Sequence, residues 1–463
     1  LNRGAEFTKL DFHRRKPITE QRLVWVSGDH RILWQDPAAR NKKPRSMRLC
    51  ECEVSTDVSH PLATYGLCFA VAGPDQTLNL QAEKKEDRDF WVSQLRKQVE
   101  EALGVERARR LMERSYQRDI SVPERRRQWL QDILPAFQQM RMTPQCRELC
   151  WLGIPTNLRR EVWSRSIGNQ LQITKDLYEI FKAHSSRART EMEAARRAAM
   201  REDATEEERA KWKGENHLLG AEASLKVIDK DLPRTFINLA FFHNGGPLEA
   251  QLRDVLEAYC FYRPDVGYVQ GMSYLASMLL LNMDTCQSFI ALANLLHSHY
   301  FLSFFAMDMT QIQIRFAVYE FFFERQLPAL YQHFVSLGVT SDTYLLNWLM
   351  TLFAKSLPLD VTTRIWDNYL LVGESFMIRA ALGVLAWFGE RLLHMEYEDI
   401  MVELTHVHER YIDEDELFDA IRSVKVSAPH FDKVLESQLE AQGLGSGKVP
   451  DMEEWHSHAL DQW

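Results

Sequence analysis

The 463-residue sequence has no long apolar run, only seven cysteines and no excess of basic residues overall. Its most apolar stretch, Met272 to Met283, is too short and too polar to span a bilayer. An odd and sparse set of cysteines does not make a disulfide framework. Cys50 and Cys52 read as core residues sharing one face of a strand. Cys146 and Cys150 stand one helical turn apart without a second ligand pair, so no metal is expected. No signal-peptide pattern follows Leu1, and a start without Met suits a piece of a longer protein. The expected setting is reducing and cytoplasmic. A net charge of −9, from 56 basic and 65 acidic residues, argues against a general nucleic-acid binder. Gly443–Lys448 resembles a phosphate loop, but Gln442 stands where G-x4-G-K needs glycine and Val449 offers magnesium no hydroxyl. Gly271-Met-Ser-Tyr begins like a nucleophile elbow, and Leu275 replaces its closing glycine. His406-Val-His408 and His456-Ser-His458 lack acids or cysteines at ligand spacing. These absences predict a chain without a nucleotide site, metal site or nucleophile of its own.

What is present is ample core and an uneven charge. Apolar residues make up 45% and aromatics 11%, which excludes a disordered chain. At roughly 100–200 residues per domain the length predicts about two to four domains. Residues 1–50 hold twelve Lys/Arg against five Asp/Glu, a balance of +7 that leaves −16 on the remaining 413. One end is suited to meet something anionic.

Period-two patterns fill the first eighty residues. Cys50, Cys52 and Val54, then Leu67, Phe69 and Val71, then Leu78 and Leu80 alternate with other residues. With Leu23–Val26 and Ile32–Trp34 they predict short antiparallel strands, separated by Gly28-Asp29, Asp36-Pro37 and Gly73-Pro74-Asp75. From Glu86 to Leu103 the period changes: Trp91, Leu95, Val99 and Ala102 mark an amphipathic helix. The fold class predicted is a small antiparallel β-barrel capped by a helix, followed by an all-α domain. The order of strands and a Trp-bearing closing helix resembles a pleckstrin-homology (PH) domain over residues 1–105. That resemblance implies a phosphoinositide site on the first two strands and their loop, with Lys9, Arg14, Arg15, Lys16 and Arg22 as candidates. Glu20 interrupts the basic pair such a site wants on the second strand. The other reading is a solvated basic hairpin that binds protein or nothing.

Residues 106–140 read as a charged helical linker punctuated by Pro123, leading into Trp129, Leu130, Ile133, Leu134 and Phe137 at helical spacing. No sustained strand alternation follows, so the rest is expected to be all-α. A polar insertion near 185–216 is too charged for core, and Thr205 with Glu208 is a candidate cap. Residues 411–463 read as a helical and acidic tail, with a helix starting near Asp413.

Two segments break the helical pattern. In Ile228-x-x-Asp231-x-x-Arg234, Pro233 opens a turn that sets Arg234 on a loop edge or a first helical turn, with Asp231 placed to brace it. In Tyr268-x-Gln270-Gly271, Gly267 and Gly271 flank Gln270 and permit backbone closed to other residues. Taken singly, each polar residue reads as structural or solvated. Together they match, residue by residue, the two signature motifs of TBC domains, the GTPase-activating modules for Rab GTPases. Leu149–Pro155 with Arg159–Trp163, and Leu357–Leu359 with Arg364–Asp367, Gly373 and Arg379–Leu382, resemble the family's opening and later motifs. The resemblance covers 141–410. It implies a Rab-family small GTPase as partner, Arg234 as an arginine finger and Gln270 as a glutamine finger supplied in trans. Ile228, Asp231, Tyr268 and Gly271 support them, and Arg160 and Trp163 are candidate contacts with the GTPase. No cofactor is expected, since GTP and Mg2+ belong to the partner. No nucleic acid is expected either. The alternative is a membrane-recruited Rab-binding adaptor without significant activity. Peripheral association with endomembranes accords with either reading.

Overall fold

The computed structural model describes residues 1, 3–13, 16–39, 41–58, 60–201, 205–206, 221–242 and 245–443. Arg14, Arg15, Glu208, His456, His458 and the stretch after Gly443 lie outside them. The chain divides into two compact units, Leu1–Asp119 and Ile120–Trp463.

In the first unit the alternating sequence forms seven antiparallel strands. These are β1 (Ala5–His13), β2 (Lys16–Val26), β3 (Arg31–Gln35), β4 (Arg45–Arg48), β5 (Glu53–Ser55), β6 (Cys68–Ala72) and β7 (Thr77–Gln81). Their order is β4-β3-β2-β1-β7-β6-β5. The pairing of β1 with β2 runs from Ala5↔Val24 to His13↔Lys16 and sets Phe7, Val24 and Val26 into the core. The expected closed barrel is instead an open sheet, since no pairing joins β4 to β5 among the described residues. The strand expected through Cys50 is also absent. Leu49 donates to the His30 carbonyl and Cys52 closes back on Leu49, so Leu49–Glu51 is a 3-10 turn. Cys52 is buried and Cys50 only partly so. Strand β6 is buried on both faces from Cys68 to Val71 rather than on one. The preceding loop returns over the sheet, with the His60 ring 3.0 Å from the Asp11 carbonyl and the Thr64 amide donating to Gln81.

Helix α1 (Lys85–Gln128) begins where the period changes. It buries Trp91, Val92, Leu95 and Ala102 against the sheet. Phe7 meets Phe69 and Trp91 edge-on, with centroids 5.4 and 5.0 Å away. Such contacts add about 0.5–1.5 kcal/mol each beyond burial. Pro123, expected as a break, lies inside α1, which forgoes one amide bond there and continues. A π turn at Trp129–Ile133 and a 3-10 turn at Leu134–Ala136 follow. Trp129, Ile133, Leu134 and Phe137 are buried, but the wider winding turns Leu130 out to solvent.

Beyond Gln81 the described residues contain no strand. The second unit is built from α2 (Pro144–Trp151), α3 (Thr156–Ile167), α4 (Lys175–Ala199), α5 (Ala221–Asp231), α6 (Glu249–Tyr262), α7 (Met272–Leu280) and α8 (Thr285–His297). After them come α9 (His299–Phe305), α10 (Met309–Gln326), α11 (Pro328–Leu337), α12 (Asp342–Met350), α13 (Leu359–Val372) and α14 (Glu374–Phe388). Then α15 (Tyr397–Thr405), α16 (Glu414–Ser423) and α17 (Ala428–Ala441) complete it. None of the described helices is long and apolar enough to cross a membrane.

The outer motifs meet in this core. Asp367 on α13 accepts from the Ile154 amide and the Trp163 indole, both at 2.8 Å, and from Arg159 at 3.2 Å. Burial pushes its carboxyl up, a rise that Arg159 and those donors only partly offset. Trp163 stacks on Trp366 at 5.3 Å. Arg125, expected among solvated linker charges, is buried and donates to the carbonyls of Leu152 and Gly153 at 2.6 and 2.7 Å. The stretch from 411, expected as a tail, contributes to the same core: Leu417, Phe418 and Ile421 are buried, and a side chain at Gly383 would collide with Ile421. Asp413 caps α16 through the Glu416 amide at 2.9 Å.

Candidate functional site

Helix α5 buries Ile228 and Leu225 and ends at Asp231, because Pro233 cannot continue its amide ladder. Leu232–Arg234 instead forms one 3-10 turn. Arg234 therefore leaves the core at a corner, its side chain 62% exposed, while the Asp231 side chain is 6% exposed. The guanidinium Nη2 donates to Asp231 Oδ1 at 2.8 Å and Nε donates to the Lys230 carbonyl at 3.0 Å. The base of the guanidinium is held and its tip faces solvent.

The second segment follows α6, which ends at Tyr262 ahead of Pro264. Gly267 and Gly271 adopt φ of +65° and +108°, left-handed values that favour glycine. A Cβ at Gly267 would lie 3.0 Å from Ser224 Oγ, and one at Gly271 3.4 Å from Thr351 Cγ2. Between them Tyr268 turns inward and Gln270 outward. Gln270 is exposed and its amide makes no hydrogen bond to the described residues.

One carboxylate joins the two segments. Asp231 Oδ1 holds Arg234 while its Oδ2 accepts from the Tyr268 hydroxyl at 2.6 Å. Burial and the neighbouring Asp231 push the Tyr268 phenol far above its ordinary range, which keeps it a donor. Three residues complete the junction: Ser224 and Thr235, which the sequence did not single out, and Ser273, which it offered only as the serine of an incomplete nucleophile elbow. Ser224 Oγ accepts from the Tyr268 amide at 2.9 Å. Thr235 Oγ1 lies 2.9 Å from the Asp231 carbonyl and 2.8 Å from Ser273 Oγ. A lone serine or threonine has no spacing signal, so only the fold reveals them. Also unforeseen is a charged brace behind α5. Arg189 of α4, expected to be solvated, pairs with Asp229 and the buried Glu257, and Arg253 pairs with Asp229 and Glu249.

The remaining candidates fall elsewhere. Trp163 is fully buried and is framework, not a surface a partner can touch. Arg160 is exposed and donates to Gln287 at 2.7 Å and Asp284 at 2.9 Å, at the start of α8. In the first unit, Lys9 is buried and paired with Asp11, and Arg22 is paired with Glu20. Lys16, at the start of β2, is exposed. Among the described residues no group of three His, Cys, Asp or Glu is arranged to hold a metal ion.

A family model described as the Rab-GTPase-TBC domain matches residues 156–393. TBC1 domain family member 12 of Xenopus tropicalis is 37% identical over 373 residues, covering 79% of this chain and 52% of that protein. Drainin of Dictyostelium discoideum is 35% identical over 340 residues, covering 68% of this chain and 78% of that protein. The chain spans about half the length of the TBC1 domain family relatives it matches. The crystal structure of the Chlamydomonas flagellar RabGAP TBC domain overlays with a TM-score of 0.49 at 19% identity, over 66% of this chain and 90% of that one.

Proposed function

The chain belongs to the Rab-GTPase-TBC domain family, and from that premise we propose that it accelerates GTP hydrolysis by a Rab-family small GTPase through Arg234 and Gln270. The observation carrying this reading is the Asp231 carboxylate, which ties the exposed Arg234 to the segment presenting the exposed Gln270. A guanidinium has five N–H donors. Two are engaged within the chain, by Asp231 and Lys230, which leaves three for a partner's phosphoryl oxygens. Phosphoryl transfer needs neutralisation of charge on those oxygens and an aligned water, and an arginine supplied in trans is worth ~10³–10⁵ in rate. The unengaged Gln270 amide can accept from that water and donate to a phosphoryl oxygen at once. Charge neutralisation and water alignment by these two side chains call for no acid–base pair from this chain. GTP and Mg2+ stay with the GTPase, and this chain adds positioned donors.

The first unit, in this proposal, is a PH-like module at 1–105 that brings the TBC domain of 141–410 to a phosphoinositide surface on endomembranes. The sheet order and the Trp91 helix support it. Of the candidate cations that the structure describes, Lys9 and Arg22 are engaged and Lys16 is exposed, so Lys16 is the one offered to lipid in this proposal.

The test is a panel of GTP-loaded Rabs assayed for hydrolysis with wild type and Arg234→Ala. Acceleration by wild type and not by the variant is expected. Binding without acceleration across the panel would replace this reading with a Rab-binding adaptor.

A further inference from the structure

Thr235 and Ser273 stand next to the two exposed side chains, and both are fully buried. Thr235 follows Arg234 directly; Ser273 opens α7 just past Gln270. Their oxygens are 2.8 Å apart. A hydroxyl carries one hydrogen, so Thr235 donates to the Asp231 carbonyl and receives the Ser273 proton. Ser224 accepts from the Tyr268 amide, and Gly267 packs so close that a Cβ there would lie 3.0 Å from the serine oxygen. The Arg234 turn and the Gln270 loop are thus joined at the Asp231–Tyr268 bond, and the Thr235–Ser273 and Ser224–Tyr268 contacts add to that junction. Apolar packing alone would fill this space without fixing direction, because dispersion contacts slide where hydrogen bonds hold an angle.

We propose that Thr235 and Ser273 are positioning residues that set the separation of Arg234 from Gln270, with Ser224 holding the register of the Gln270 loop. The inference rests on the activity proposed above and names what holds its geometry.

The experiment measures stimulated hydrolysis by the full chain against a responsive Rab at varied Rab concentration. Thr235→Val keeps volume and removes the hydroxyl. It should lower kcat by about tenfold to a hundredfold, the effect of a displacement near 1 Å, with KM little changed. Thr235→Ser should restore kcat. Ser273→Ala removes a single oxygen and carries the test if Thr235→Val folds poorly. The double variant should lose little more than the worse single one, since both break the same bond. Unchanged kcat in variants that melt like wild type, a loss confined to KM, or failure of Thr235→Ser would overturn the proposal. Amide hydrogen exchange across 268–272 gives a readout independent of catalysis. In Thr235→Val it should quicken by about tenfold as local opening becomes easier; unchanged exchange would count against the positioning role. A wild type inactive on every Rab defeats the proposed function, while the exchange result still decides the hydroxyl contact.

Discussion

Lys9 and Arg22 in the first unit and Arg234 in the second are all cations beside a carboxylate, but their side chains are exposed by 11%, 20% and 62%. The difference lies in the secondary structure beneath them. Lys9 and Asp11, like Arg22 and Glu20, are two apart on a strand and share one face, so the long side chain lies along the sheet to meet its acid. Asp231 and Arg234 are three apart across a tight turn with the acid buried, so the pair grips the guanidinium from below. A basic residue in a sequence is a charge, and only its pairing geometry makes it a donor to something else.

That contrast can be broken most sharply at Arg234. Arg234→Ala should cut Rab-stimulated hydrolysis by ~10³ or more, with the melting temperature unmoved. Arg234→Lys should not restore it, because an ammonium lacks the planar fork. Gln270→Ala should follow, with a loss of ~10²–10³ in stimulated kcat; its side chain bonds to nothing described, so stability should be unchanged in a denaturant titration. Asp231→Ala should cost both properties: about tenfold in kcat from a loosened Arg234, and about 1–3 kcal/mol of stability because the buried Tyr268 hydroxyl loses its acceptor. A variant with full activity would show that the grip is ornamental. The smallest effects belong to the first unit. Lys16→Glu should weaken pelleting with phosphoinositide vesicles by several-fold, near 1 kcal/mol per cation at an anionic surface. Lys9→Ala should leave pelleting as it was, and a clear loss there would mean that its pair with Asp11 opens.

The two exposed side chains of the site were legible because prolines and glycines act on their own backbone. Pro233 removes an amide from the ladder at the end of α5, which stops there although α1 runs on through Pro123, and Gly267 and Gly271 admit left-handed turns before any packing is known. Strand alternation was legible where one face is buried, as in β7, and misled where local bonding intervened, as at the Leu49–Glu51 turn. The 411–441 helices looked peripheral because α16 and α17 are interrupted and charged, yet Arg364 draws Glu414 and Asp415 inward at 3.0 and 2.9 Å, beside the Phe418 ring. Trp163 stood among the candidate contacts by sequence, and its burial against Trp366 makes it framework.

The sequence by itself determined the turns at Pro233, Gly267 and Gly271 and which polar side chains stand at them, since backbone restrictions of proline and glycine are local. Only the tertiary structure decided which of many cations stay available and what holds Arg234 and Gln270 together. Those outcomes depend on buried partners far along the chain, Tyr268 for Asp231, Ser273 for Thr235 and Glu257 for Arg189. A hydrogen bond forms where folding brings two groups within about 3 Å, and no spacing rule along the chain encodes that distance.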